Sequence, residues 1–159
     1  MFPRFGGEDR AGFSIFEITR LTPKRQHMNS NEEAVRQFIQ AIEQRKEVAT
    51  LQSFYHPDIG QIEFPNLLTG KTVSRTLNDI TTAFEKGKQV LQSEKYVIEK
   101  LYTAGDAVIL EATWTGVLAI PIGKLPKGGE MKAYFAQIYE FAEGKIVKQR
   151  NYDCFEPFL

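Results

Sequence analysis

The first half of the chain carries apolar residues at the spacing of helices. Ser30 and Glu33 fit a capping box, in which each side chain bonds the backbone amide of the other, and they predict the start of a helix. Its apolar stripe consists of Val35, Phe38, Ile39 and Ile42. A second, short helix is predicted over 48–55 and ended by Pro57, and a third is predicted over 72–86.

The second half of the chain alternates between apolar and polar residues, which is the period of strands. A first strand is predicted earlier, over 59–64, where Pro65 closes it. The later strand candidates are rich in β-branched and aromatic residues and span 94–103, 107–118, 130–142 and 145–154. Short turns that contain glycine join two pairs of these strands as hairpins.

Helices followed by hairpin-linked strands predict an α+β fold. We expect a strongly curved antiparallel sheet that about three N-terminal helices cover on one face. A sheet bent in this way forms a cone-shaped α+β barrel. The mouth of the cone is the place where a ligand cavity would form.

Composition narrows the classes of function. Twenty basic residues balance twenty acidic ones among 159 residues, so the chain lacks the broad positive charge of a nonspecific nucleic-acid binder. One cysteine excludes an internal disulfide framework and a multi-thiolate zinc site, and the two histidines fit no metal motif. The apolar runs are too short to span a membrane. We therefore expect a cytoplasmic protein with no metal, no cofactor and no nucleic-acid partner.

Residues 1–27 differ from the rest of the chain, because they mix glycine, phenylalanine and charged residues without any period. Phe13–Ile18 forms a short apolar piece, and Glu17 within it argues against a secretion signal. We predict an N-terminal extension or arm over 1–27 and one domain over 28–159.

Several stretches of the predicted domain carry a family resemblance. They are the end of the first helix at Ala41 and Ile42, and the segments Leu51–Ile59, Gly105–Gly116, Tyr139–Val147 and Asn151–Asp153. In order and spacing they resemble the SnoaL-like branch of the nuclear-transport-factor-2-like superfamily, which also contains the ketosteroid isomerases. The resemblance implies the cone-shaped fold with a ligand cavity. It implies no particular reaction, because one fold hosts many activities.

The resemblance allows a test of steroid isomerase chemistry. That chemistry implies a catalytic Asp just before the proline that closes the first strand, a Tyr donor on the first helix and a protonated Asp on a late strand. The matching positions here are Phe64, Phe38 and Gln137. A phenyl ring can neither move a proton nor donate a hydrogen bond to an enolate. We therefore reject this chemistry, unless a shift of one residue brings Glu63 into the cavity.

Two polar residues remain as catalytic candidates. The resemblance implies an acid on the last strand, which Asp153 supplies, and Gln137 is the single amide on the more apolar face of its strand. In this hypothesis Gln137 orients a substrate carbonyl and Asp153 moves the proton. Two structural alternatives stay open: Gln137 as a satisfied core amide, and Asp153 as a solvated or salt-bridged carboxylate.

The walls of the cavity are predicted to be aromatic. The candidate ligand-binding residues are Tyr55, Phe64, Trp114, Phe135, Tyr139 and Tyr152. Two classes of function fit: a metal-independent isomerase, cyclase or hydrolase that acts on a small apolar organic molecule, and a non-catalytic ligand-binding or dimerising module. Tyr134, Ala136 and Ile138 form an apolar set on the opposite face of their strand, which predicts a homodimer.

Overall fold

A computed structural model describes residues 30–159. The predicted extension over 1–27 lies outside these residues, so it stays a prediction. Three helices and six strands form the described part: α1 Ser30–Glu43, α2 Val48–Gln52, β1 Tyr55–Glu63, β2 Val73–Arg75, α3 Leu77–Val90, β3 Leu91–Ala104, β4 Ala107–Leu118, β5 Glu130–Ala142 and β6 Lys145–Phe155.

The strands form one sheet in the order β2-β1-β6-β5-β4-β3. Neighbours from β3 to β6 pair antiparallel, as predicted. β1, however, runs parallel to β6, with Gln61 opposite Gln149 and Glu63 opposite Asn151. The prediction of a wholly antiparallel sheet is therefore wrong. A parallel pair cannot be joined by a hairpin, so no local turn in the sequence indicates it.

The α+β class is confirmed, but the sheet does not close into a barrel. Within residues 30–159, β2 and β3 are its two edges. Register shifts between β1 and β6, between β3 and β4 and between β5 and β6 mark β-bulges. Bulges bend strands and increase their twist, so they curve the sheet without closing it.

The third helix begins later than predicted. Thr76 and Asp79 form its capping box, and the Thr76 backbone amide donates to the Asp79 carboxylate at 2.9 Å. Val73–Arg75, predicted as helix, instead pair with β1 as strand β2. Arg75 lies opposite Gln61 as a result, and its guanidinium donates to the Gln61 amide oxygen at 3.2 Å.

Helices α1 and α3 cover one side of the sheet, which we call the helix-covered face, and the other side is the open face. The predicted alternation of β4 and β5 is confirmed. The residues that point toward the helices are buried: Val108, Leu110, Ala112, Trp114, Ala133, Phe135, Gln137, Tyr139 and Phe141. Tyr134 on the open face is 48% exposed, although it directly precedes buried Phe135.

Candidate functional site

Two adjoining cavities lie on the helix-covered face and share Tyr96, Gln137 and Asn151. The first, the Asp153 cavity, has a volume of about 320 Å³. Its walls include Glu94, Tyr96, Trp114, Phe135, Gln137, Asn151, Asp153 and Phe155. The second, the Arg75 cavity, has a volume of about 210 Å³ and is lined by Arg75 and by residues of α1, α3, β1 and β6.

The Asp153 carboxyl lies in the cavity wall, and its surroundings shift its pKa. Burial raises its pKa from 3.8 to about 6, and the negative charge of Glu63 acts in the same direction. A hydrogen bond from Gln137 and the positive charge of Arg75 oppose this rise in pKa. A carboxyl with such a pKa is largely ionised at neutral pH but accepts a proton readily.

Gln137 and Tyr139 hold Asp153 from the neighbouring strand. Tyr139 is fully buried, and its hydroxyl donates to the Gln137 amide oxygen at 2.6 Å. The Gln137 amide nitrogen then donates to the Asp153 carboxylate at 3.1 Å. Register explains the contact, because Gln137 lies opposite Asn151 and Phe135 lies opposite Asp153 on β6. The amide is thereby a hydrogen-bonded partner of Asp153 inside the cavity.

A second chain of hydrogen bonds runs beside the first. The Tyr55 hydroxyl donates to the Gln149 amide oxygen at 2.9 Å. The Gln149 amide nitrogen donates in turn to the Asn151 amide oxygen at 2.9 Å. All three residues are buried, with Asn151 8% exposed. This chain ends at the wall that the two cavities share, because Asn151 lines both of them.

A second carboxyl of the Asp153 cavity, that of Glu94, is held by Trp114. The indole nitrogen donates to Glu94 at 3.1 Å, and burial raises the pKa of the Glu94 carboxyl. Gly116 makes this geometry possible, since a Cβ there would lie 2.4 Å from the Trp114 ring. Glu94 precedes Tyr96 by two residues on β3, so both side chains point to the same face.

The register at the end of β1 places Glu63, not Phe64, on the cavity side. Glu63 lines the Arg75 cavity, where its carboxylate accepts hydrogen bonds from Arg75 and Asn66. Phe64 stacks on Tyr152 with ring centroids 4.5 Å apart. Tyr152 lies on the open face and is 42% exposed. The interpretation that put Phe64 and Tyr152 in the cavity therefore does not match the geometry.

The structure brings most of the other predicted residues together. Trp114, Phe135, Gln137 and Asp153 line the Asp153 cavity, whereas Tyr55 lines the Arg75 cavity. Tyr139 is buried behind Gln137, to which it bonds. Sequence reasoning missed Glu94, Asn151 and Arg75. Alternation could have revealed the first two, since Glu94 shares a face with Tyr96 and Asn151 with Asp153.

No three or more His, Cys, Asp or Glu side chains among residues 30–159 are grouped so that they could hold a metal ion. None of the helices in that range is both long enough and apolar enough to cross a membrane.

Comparison with known proteins identifies the domain type. A family model described as a SnoaL-like domain matches residues 35–149. No curated protein matches the chain. One similar structure is that of IdmH from Streptomyces antibioticus, a proposed polyketide cyclase. It superposes with a TM-score of 0.67 at 12% sequence identity, and the superposition covers 79% of this chain and 92% of IdmH. AclR from Streptomyces galilaeus, a proposed hydroxylase, superposes with a TM-score of 0.64 at 16% sequence identity. That superposition covers 77% of this chain and 74% of AclR.

Proposed function

The chain belongs to the SnoaL-like domain family, and on that premise we propose that it binds a small, mostly apolar organic molecule in the Asp153 cavity and moves a proton on it. The family supports binding of a small molecule, and the chemistry rests on the residues of the cavity. Aromatic side chains of Tyr96, Trp114, Phe135 and Phe155 form much of the wall. Such a wall favours a flat, uncharged ring system.

The observation that carries the proposal is the Asp153 carboxyl, which lines the cavity within hydrogen-bond distance of Gln137. A non-catalytic apolar pocket would have no use for a buried carboxylate, which costs stability. Its pKa of about 6 suits a base at neutral pH. The Gln137 amide oxygen and nitrogen are both hydrogen-bonded within the protein, as the structural alternative expects. Gln137 also lines the cavity, so its part in the proposal is to position Asp153 rather than to orient a substrate carbonyl.

The proton transfer that fits best begins at a carbon next to a carbonyl group. Asp153 takes the proton, and the electron pair of the C–H bond moves onto the carbonyl oxygen as an enolate. In a substrate with a second carbonyl, the enolate carbon attacks it and closes a ring, and Asp153 returns the proton to the new alkoxide. The polyketide cyclase role proposed for IdmH favours this ring closure over isomerisation or hydrolysis.

Substitution of Asp153 tests this proposal. Ligands are first found by thermal-shift screening of small cyclic ketones, lactones and linear polyketones, and turnover is then followed by mass spectrometry. Asp153→Asn is expected to lower turnover by about 10²- to 10⁴-fold, the usual effect of losing a general base, while ligand affinity changes little. Asp106→Asn, in the exposed β3–β4 turn, is the matched control. Unchanged turnover in Asp153→Asn would refute the proposed role.

A second candidate role, dimerisation, rests on the open face of the sheet. Four large apolar or aromatic side chains of this face are each more than two-fifths exposed: Val97, Tyr102, Tyr134 and Tyr152. A cavity of about 340 Å³ lies between Tyr102, Tyr134 and Tyr152. Exposed patches of this kind are typical of protein interfaces. We propose that a second copy of the chain covers this face.

A further inference from the structure

The direction of the Tyr55–Gln149–Asn151 chain determines which end of the Asn151 amide faces the cavities. Tyr55 is buried, and burial raises the pKa of its hydroxyl, so the hydroxyl keeps its proton. Among residues 30–159, the acceptor within reach of that proton is the Gln149 amide oxygen, at 2.9 Å. If the Gln149 amide were reversed, a buried hydroxyl proton would have no partner, which is rarely tolerated.

The orientation of each following amide is then fixed. With its oxygen bound to Tyr55, Gln149 presents its NH₂ group to the next residue, and the Asn151 oxygen accepts from it at 2.9 Å. Asn151 must therefore present its own NH₂ group in the remaining direction, toward the cavities that it lines. No side chain in the described part of the chain accepts a hydrogen bond from that NH₂ group.

The Gln137 chain ends differently. The Gln137 amide also receives a tyrosine hydroxyl at its oxygen, but its NH₂ group is directed to the Asp153 carboxylate. Gln137 thus positions the base and stabilises its ionised form. Asn151 lies two residues before Asp153 on β6, so the two side chains point to one face, about 6.6 Å apart along the strand. A carbonyl group and its neighbouring carbon can bridge such a spacing.

We propose that the Asn151 NH₂ group is the hydrogen-bond donor that receives the carbonyl oxygen of the substrate, while Asp153 takes the proton from the adjacent carbon. This rests on the proposed function and names the ligand group: a carbonyl that becomes an enolate. The developing negative charge on oxygen strengthens the bond from Asn151. The buried tyrosine behind Gln149 holds the donor in this orientation before the ligand arrives.

A binding experiment without turnover tests the donor by itself. The parent protein is Asp153→Asn, which removes the negative charge that would repel an anion. The probe is 2-hydroxy-1,4-naphthoquinone at neutral pH, a flat enolate anion, and neutral 2-naphthol is the reference ligand. Affinities are measured by isothermal titration calorimetry. The parent is expected to bind the anion more tightly than 2-naphthol. A further Asn151→Leu change should lower the affinity for the anion by about tenfold or more and the affinity for 2-naphthol by about twofold or less.

Two tyrosine variants separate orientation from mere packing. Tyr55→Phe leaves Asn151 in place but frees its amide to reverse, and it should weaken binding of the anion by about threefold or more. Tyr134→Phe removes a hydroxyl on the open face, where it bonds Glu156, and should leave the affinity for the anion unchanged. If Asn151→Leu does not fold, this pair of variants carries the test.

Two results would overturn the assignment. One is an Asn151→Leu protein that binds the anion as tightly as its parent, because Lys86, which also lines the cavity, would then suffice. The other is a Tyr55→Phe protein that loses no more affinity for the anion than Tyr134→Phe does. Neither result bears on Asp153, whose role is decided by the separate turnover measurement, so the two proposals fail independently.

Discussion

Ionised Asp153 should destabilise the folded protein, and the structure gives the size of the effect. Burial raises the pKa of its carboxyl from 3.8 to about 6. At 1.36 kcal/mol per pKa unit, the folded state loses about 3 kcal/mol of stability once the group is ionised. Between these two pKa values the folded protein holds a proton that the unfolded chain has released. The stabilisation of the folded state by this retained proton is therefore fully present below pH 3.8 and is lost as the pH rises through about 6.

The free energy of unfolding measured in urea at a series of pH values tests this effect. For a single group with these pKa values, the wild-type protein should gain about 1.4 kcal/mol between pH 8 and pH 5 relative to Asp153→Asn, which carries no titrating group there. At pH 8 the Asn variant should be the more stable of the two, by up to about 3 kcal/mol. Other groups with a raised pKa, such as Glu94, contribute equally to both proteins and cancel.

The control is Asp106→Asn, because Asp106 is exposed in the turn between β3 and β4. The difference in free energy of unfolding between Asp106→Asn and wild type should not vary with pH over the same range. A difference between wild type and Asp153→Asn that stays constant from pH 5 to pH 8 would show that the Asp153 carboxyl does not titrate there. A wild-type protein that gains stability relative to Asp153→Asn as the pH rises would reverse the sign and refute the burial argument.

Two further predictions concern the shape of the cavity and the open face. Gly116→Ala should displace the Trp114 ring and lower the free energy of unfolding by about 1–3 kcal/mol. Gly60→Ala, at a position with open space around it, serves as the control. The fluorescence of Trp114, the single tryptophan, reports the change. Ala136→Glu on the open face should convert a dimer into a monomer in analytical ultracentrifugation, and a wild-type protein that sediments as a monomer contradicts the proposed interface.

The faces of the central strands could be predicted from the sequence, because a strand alternates strictly between its two sides. Tyr134 and Phe135 illustrate this, since they are neighbours in the chain with opposite exposure. The helix stripe of α1 was equally clear, and its Val35, Phe38 and Ile39 are buried against the sheet. Period identifies the buried side of each element. It carries no information about which strand lies beside which.

The errors at Glu63, Phe64 and Arg75 depend on that pairing. Glu63 faces the cavity and Phe64 does not, because β1 pairs in parallel with β6 and a one-residue shift exchanges the two faces. Arg75 reaches Glu63 because β2 pairs with β1, although the apolar pattern had extended the helix through 73–75. The capping box at Thr76 and Asp79 was the local signal that could have corrected it.

The arrangement of polar residues on β5 and β6 argues against a purely structural role for them. Gln137 lies opposite Asn151, Tyr139 lies opposite Gln149, and Asp153 follows at the next inward position of β6. Apolar side chains of similar size at these positions would need no buried hydrogen bonds and would avoid the destabilisation calculated for Asp153. Instead, the side-chain oxygens of Gln137, Gln149 and Asn151 each accept a hydrogen bond. One chain of bonds ends at the Asp153 carboxylate, and the other ends at Asn151 in the cavity wall. Packing requires no such common direction, whereas a site that binds an oxygen atom beside a base requires both donor and base to be oriented in advance.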